Sequence, residues 1–338
     1  MLIYVVFVIY VICLVLLETS NNPWDFELLD TGNGYRLEQW GDILLARPDP
    51  QIIWKKGTPK LWEKISAKFI AGKGEERGRW EIKGKIPDPW IVNFDGIHPV
   101  KSAGGGTAPQ SFNGVKFLLK LSPFKHTGLF AEQAAQWEWM LNRLEMLDTR
   151  LKMGAKNPMQ KANNLSPRIL NLFAYTGGAT MVLAKAGCQV THVDASKPAI
   201  TWANENHKLN NLPADSVRWI LDDAVKFVKR ELKRGAKYDG IIMDPPAFGH
   251  SPTGKTWKFN DDLPGLLADC VQLLSDDAKF LIINGYATNS SAVAINNLLE
   301  DAMRSTPGKI EFGELCLKQK SGRMISTGIF SRWSSLST

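Results

Sequence analysis

The stretch Tyr238-Asp239-Gly240-Ile241-Ile242-Met243-Asp244-Pro245-Pro246-Ala247-Phe248-Gly249 decides the fold class of this 338-residue chain. An apolar run that ends in an acid and two prolines is a buried strand that stops abruptly. The first proline cannot donate to a sheet ladder, and it biases the residue before it toward extended backbone. Asp244 is therefore expected at the carboxyl edge of a sheet, where open α/β folds bind ligands. Phe248 follows as an aromatic face able to lie against a planar substrate. Taken alone, the same residues also describe a Pro-rich turn with a core Phe.

The surrounding pattern repeats the theme. Strands are expected at Arg168–Phe173, Gln189–Asp194, Val217–Leu221, Asp239–Asp244 and Lys279–Ile283. Helices are expected at 179–186, 198–210, 224–234 and near 263–274, and the segment Phe312–Phe330 reads as a terminal antiparallel hairpin. Alternation at this spacing implies a doubly wound, mostly parallel sheet. Upstream, Phe117–Leu121 reads as a strand, 122–130 as a loop, Ala131–Leu147 as a helix and Lys152–Ser166, with Asn163-Asn164, as a linker.

The strand ends carry the chemistry. Ile169–Phe173 runs into Ala174-Tyr175-Thr176-Gly177-Gly178-Ala179-Thr180, a small-residue turn opening a helix, where backbone can approach a cofactor. With only Gly177 and Gly178 it is not GxGxxG, which disfavours a dinucleotide clamp. The second strand ends in Asp194, 17 residues after Gly177, placed to accept ribose hydroxyls. The third ends in Asp222-Asp223 and the fourth in Asp244. Helix capping explains any one of these acids; the series of four strand ends points to an adenosine-type cofactor.

These residues resemble the class I S-adenosylmethionine-dependent methyltransferases, and within them the large-subunit ribosomal RNA methyltransferases that act on cytosine C5 or guanine N7. The likeness covers about Phe117 to Phe330. It rests on Asn171–Gly178, Val193-Asp194-Ala195-Ser196, Asp223 with Phe227, Asp244-Pro245-Pro246-Ala247-Phe248 and the loop Thr127-Gly128-Leu129-Phe130-Ala131-Glu132-Gln133. The resemblance implies a Rossmann-like sheet of seven strands with the last antiparallel, beside a small β-rich N-terminal module. It implies S-adenosyl-L-methionine held by Phe130, Gln133, Phe173, Thr176, Gly177, Gly178, Asp194, Ala195 and Asp223, with Asp222 the alternative to Asp223. Asp244, Pro245, Pro246 and Phe248 form the substrate side. Two departures stand out. Ala134 occupies the place where the branch carries an Arg after the Gln. The segment 284–290, after the fifth strand, has no Cys. Carbon-5 methylation of cytosine needs a thiolate, so a base nitrogen is the expected target. A small-molecule or protein side-chain methyltransferase is the alternative, and a non-catalytic RNA-binding module is disfavoured by the intact acids.

Composition bounds the rest. Hydrophobic residues make up 44% and charged residues 22%, with a formal net charge of +7, a weak indication of a polyanionic partner. Cys13, Cys188, Cys270 and Cys316 lie far apart without CxxC or a His cluster, so neither a metal site nor a disulfide framework is expected and a cytoplasmic setting is natural. Three segments follow: an apolar leader at 1–20, a β-rich basic and aromatic module at 21–116, and the methyltransferase domain at 117–335. The first 17 residues carry no charge. They fit an extended start, a marginal membrane anchor or a poor signal peptide, the first being favoured. The N-terminal module interleaves Trp with Lys55, Lys56, Lys60, Lys64, Lys68, Lys73, Arg77, Arg79, Lys83 and Lys85. This is either an RNA surface or a solvated face over an aromatic core. Gly104-Gly105-Gly106 reads as a flexible loop.

Overall fold

The structure, a computed structural model, describes residues 15–20, 24–72, 77–95, 114–154, 166–250 and 256–336. Expectations for residues 1–14, Cys13, Lys73, Gly104-Gly105-Gly106 and Asn163-Asn164 lie outside them. Among the described residues no helix is long and apolar enough to cross a membrane.

The chain opens with β1 (Leu16–Glu18), then β2 (Phe26–Gly32), β3 (Tyr35–Trp40), β4 (Ile43–Pro48), β5 (Ala67–Ala71) and β6 (Gly78–Ile82). The last five form one sheet in sequence order. Asn33 and Gly34, both at positive φ, make the two-residue turn between β2 and β3; such turns match strand twist. Strands β7 (Trp90–Phe94) and β8 (Val115–Leu119) pair with each other. Trp40, Trp62 and Trp90 are buried, so these aromatics build a core and do not stand ready as stacking plates. Several cations lie over rings instead, with Lys56 4.0 Å from the Trp62 ring and Lys68 4.6 Å from that of Tyr35. Between β4 and β5, Ile52 is buried and Ile53 exposed in a segment outside any strand.

The second half is the α/β layer: α1 (Ala134–Gly154), β9 (Arg168–Leu172), α2 (Gly178–Lys185), β10 (Gln189–Asp194), α3 (Lys197–Leu209), β11 (Val217–Leu221), α4 (Ala224–Lys233) and β12 (Gly240–Met243). A short hairpin of β13 (Phe248–His250) and β14 (Thr256–Lys258) follows, then α5 (Phe259–Gln272), β15 (Phe280–Gly285), α6 (Ala292–Met303), β16 (Lys309–Lys318) and β17 (Met324–Ser334). The sheet order is β1-β16-β17-β15-β12-β9-β10-β11. Strand β17 is antiparallel to both neighbours, while β9, β10, β11, β12 and β15 run parallel. Seven strands match the expected sheet; the eighth, β1, adds in parallel to the outer edge of β16. Ile241, Ile242 and Met243 are buried on a strand covered on both faces, which explains the unbroken apolar run.

Several boundaries differ from the sequence reading. Helix α1 begins at Ala134 and runs to Gly154, past Leu147, because no breaker intervenes before that Gly. Helix α5 starts at Phe259 and accommodates Pro264. Helix α6 and the β13–β14 hairpin were not expected; Ser291 caps α6 through the Ala294 N–H.

Candidate functional site

The turn after β9 is strained where the chain must bend. Phe173 (φ 57°) and Tyr175 (φ 50°) sit in the left-handed region, and Gly177 (φ 85°) precedes α2 in the same conformation. Such cost is borne where surroundings enforce it, and here they do. Asp194 Oδ2 accepts the Tyr175 N–H at 2.8 Å, its Oδ1 accepts the Ser196 N–H at 2.8 Å, and Asn206 Nδ2 donates to the Thr176 carbonyl at 3.0 Å. Thr176 Oγ1 donates to the carbonyl of Gly128. Gly128 is irreplaceable by geometry: φ is +97°, and a Cβ would fall 2.1 Å from the Trp202 ring. The loop before α1 is thereby pinned against the turn after β9.

Between these loops lies a narrow crevice. Phe130, Gln133, Phe173, Thr176, Gly178 and Asp244 all line it, together with Asn284 and Tyr175. Gly177 stands in the turn itself. Asp194 stands just outside the crevice lining and grips the turn through the Tyr175 N–H. Burial pushes the Asp194 carboxyl up while the Ser196 and Tyr175 N–H groups pull the other way. Ala195 is exposed. The Asp222-Asp223 pair has structural partners: Asp223 Oδ1 caps α4 at the Lys226 N–H (3.0 Å), and Asp222 pairs with Arg230. The Asp222 N–H also reaches the Asp194 carbonyl at 3.1 Å, so the two acidic strand ends adjoin.

At the end of β12, Asp244 Oδ2 accepts from Gln133 Nε2 at 3.2 Å. Burial, with the neighbouring Glu132 carboxyl, pushes the Asp244 pKa up to about 7. Pro245 is buried, Pro246 exposed and Phe248 57% exposed. Trp257 of the hairpin donates to the Pro246 carbonyl at 2.8 Å and lies 5.2 Å from the Phe173 ring, bracing the turn from outside. Pro246 also bridges Tyr286, beyond β15. Tyr286 and His126 lie 6.0 and 4.6 Å from the Phe130 ring. Burial, then Arg47, Lys125 and Arg36, hold His126 well below its ordinary value, so its ring is neutral.

On the far side of Tyr286 a cleft of about 400 Å³ opens between the N-terminal sheet and the ends of β15 and β17, lined by Arg36, Asp49, Lys125, Tyr286, Thr288 and Thr327. Sequence reading missed this cleft because β3 and β4 contribute to it across a long separation. It also missed the buried Glu38 with its Arg47 and Arg36 partners, at 2.6 and 3.1 Å. Burial opposes an ionised Glu38, yet the two guanidiniums hold it below its ordinary value.

No thiol approaches the crevice among the described residues. Cys188, Cys270 and Cys316 are free and buried. Burial raises all three, Cys188 to about 12 and Cys316 to about 11. The segment 284–290 contains none.

The arrangement fits an adenosine-bearing sulfonium cofactor. The Gly177-Gly178 turn places a helix N-terminus at the crevice, and a Cβ on Gly178 would meet Trp137 at 2.7 Å. Each Asp194 oxygen takes one backbone N–H and keeps capacity for another donor.

Comparison with known proteins agrees. A family model described as S-adenosylmethionine-dependent methyltransferase matches residues 109–317. The chain is 32% identical over 174 residues to ribosomal RNA large subunit methyltransferase K/L of Shewanella sp. (strain MR-4), covering 51% of this chain and 22% of that protein. It thus spans less than a quarter of that relative's length. It is 27% identical over 286 residues to ribosomal RNA large subunit methyltransferase K of Neisseria meningitidis, covering 80% and 67%. The crystal structure of a SAM-dependent methyltransferase from Agrobacterium tumefaciens superposes with a TM-score of 0.79 at 35% identity, over 95% of this chain and 94% of that one. The chain belongs to the S-adenosylmethionine-dependent methyltransferase family, with S-adenosylmethionine as its cofactor.

Proposed function

We propose that the protein methylates a nitrogen of an RNA base, in ribosomal RNA, in the cytoplasm. The single observation that carries the choice of atom is Asp244: a carboxylate beside the crevice, braced by Gln133, with no thiol near it among the described residues. The names of the Shewanella and Neisseria relatives support the RNA substrate. Exposed basic residues of the N-terminal sheet and the cleft at Tyr286 offer a path for a polyanion.

In this reading Asp194 and the 174–178 turn hold the adenosine end, with Asp222 or Asp223 toward the base of that nucleoside. Phe130, Gln133 and Phe173 wall the crevice. The cofactor supplies a methyl group on a positively charged sulfur. Asp244 Oδ1 accepts an N–H of the target base while Gln133 holds Oδ2, aligning the nitrogen lone pair. Pro245 and Pro246 fix that carboxylate rigidly, and Phe248 stacks on the base. Alignment of this kind supplies a large share of rate acceleration. Methyl transfer would leave the base nitrogen positively charged. A proton on that nitrogen leaves to Asp244, whose raised pKa suits it as acceptor.

RNA binding tested by filter retention should weaken by an order of magnitude or more between low and moderate salt. Salt-insensitive binding, or methyl transfer only to a small molecule, would overturn the RNA assignment.

A further inference from the structure

A chain of hydrogen bonds leaves Asp244 and crosses the core. Gln133 Nε2 donates to Asp244 Oδ2 (3.2 Å), Asn284 Nδ2 to Gln133 Oε1 (3.2 Å), Gln136 Nε2 to Asn284 Oδ1 (3.1 Å) and Arg332 Nη1 to Gln136 Oε1 (3.0 Å). Gln136, Asn284 and Arg332 are at most 3% exposed, so water cannot replace a lost partner. An amide can present either its oxygen or its nitrogen, but a guanidinium only donates. Arg332 therefore fixes Gln136 with its oxygen inward. Gln136 then offers N–H to Asn284, Asn284 offers N–H to Gln133, and Gln133 offers N–H to Asp244.

We propose that Arg332, four hydrogen bonds away from Asp244, is a positioning residue whose guanidinium sets the direction of three successive amides, two of them buried, and so keeps an N–H donor on Asp244 Oδ2. The far end of the device is anchored twice. Arg332 Nη2 pairs with Glu18 of β1 at 2.7 Å and its Nε with Glu311 of β16 at 3.2 Å, while its plane lies 4.5 Å from the Trp139 ring. The strand at the chain's beginning is thus wired to the candidate catalytic acid. A guanidinium reaches this region from β17 although position 134, next to Gln133, is a buried Ala.

Reversed, the relay would aim Gln133 Oε1 at Asp244, and two facing acceptors force the carboxyl to hold its proton. Glu132 from the turn before α1 acts on Asp244, Tyr175 from the turn after β9 lines the same crevice, and Tyr286 from the loop after β15 is bridged to Pro246, two residues on. Arg36 and Arg47 lie behind Glu132. None of these groups is a member of the relay, and each is kept in every variant below, so the relay is tested separately from them.

The inference rests on the reading of Asp244 as the substrate-side acceptor, but its test needs no substrate. Full-length protein carrying 13C-labelled aspartate carboxyls is titrated by NMR, and Asp244→Asn identifies the resonance. Gln136→Glu keeps the shape and the contact with Arg332 but has no N–H for Asn284, which inverts the relay. The Asp244 midpoint should rise by about one pH unit or more. Gln136→Met, which adds no charge, should raise it in the same direction, as should Arg332→Met, while Arg332→Lys should bring it back toward wild type. Unchanged midpoints in both Gln136 variants overturn the proposal, as does a Glu18→Gln shift equal to that of Gln136→Met. If the midpoints move and methyl transfer to RNA is absent, the relay stands and the functional reading falls.

Discussion

Replacing Asp244 by Asn should make the protein more stable, and by an amount that grows with pH. Burial and Glu132 raise this carboxyl from the ordinary 3.8 to about 7. A raised acid in the fold binds its proton more tightly than in the unfolded chain. Below pH 3.8 both states are protonated and the group is neutral to stability. As pH climbs the unfolded chain ionises first, so the fold is progressively penalised, and the penalty is complete above 7. The shift is about three units, at about 1.4 kcal/mol each, so the ionised fold carries about 4 kcal/mol. Roughly two thirds of this develops between pH 5 and pH 9. Asn is nearly the same size, never ionises, and can still accept from Gln133 Nε2 through its oxygen. Urea unfolding of wild type and Asp244→Asn at pH 5, 7 and 9 should show a gap that widens by about 2–3 kcal/mol in favour of the variant. Water entering the crevice would reduce the size of that gap and leave its sign. A gap constant across the range would refute the reasoning, since it would mean that Asp244 titrates like a free carboxylate. Methyl transfer by the variant should fall even as stability rises, the trade common at active sites.

Gly128→Ala should cost about 3 kcal/mol or more in thermal or urea unfolding, since overpacking against Trp202 adds to a left-handed backbone. Phe248→Ala, at an exposed site, should change stability by less than about 0.5 kcal/mol. Its kcat/KM should nonetheless drop about tenfold or more, from the loss of base stacking worth about 1–3 kcal/mol; an unchanged kcat/KM would remove Phe248 from the site. Asp194→Ala should weaken S-adenosylhomocysteine binding at least tenfold in calorimetry, because both the ribose acceptor and the hold on the Tyr175 N–H go together. Serine replacement of Cys188, Cys270 and Cys316, one at a time, should leave kcat within about threefold, whereas a covalent thiolate mechanism would lose orders of magnitude.

The sheet was legible because its strands announce themselves twice, by apolar runs and by what ends them. Ile241-Ile242-Met243 before Asp244-Pro245 could be little else, and the Gly177-Gly178 turn gave the first βα junction. Elements held by tertiary contact were not legible. Strand β1 is three residues at the end of an apolar block, and its partner β16 lies about 300 residues on, so no local pattern marks it. The β13–β14 hairpin is too short to show alternation. Helix α6 did have a signal, the capping Ser291, but Asn296 and Asn297 dilute its apolar stripe. The strand-end acids were visible, yet their present partners were not: Asp223 caps α4 and Asp222 meets Arg230. The relay shows the same limit. Gln133, just before α1, and Gln136, in its first turn, are three residues apart, and Arg332 is the lone charge in Ile329-Phe330-Ser331-Arg332-Trp333. Only the fold brings them to Asn284.

The most direct test of the account is nucleoside analysis after methyl transfer. Purified protein is incubated with isotopically labelled S-adenosylmethionine and unmodified large-subunit ribosomal RNA, and the digested nucleosides are resolved by mass spectrometry. Label is expected on a base nitrogen, lost in Asp244→Ala and retained in the single cysteine replacements. Label on cytosine C5, on ribose, or on protein with none in RNA would contradict it.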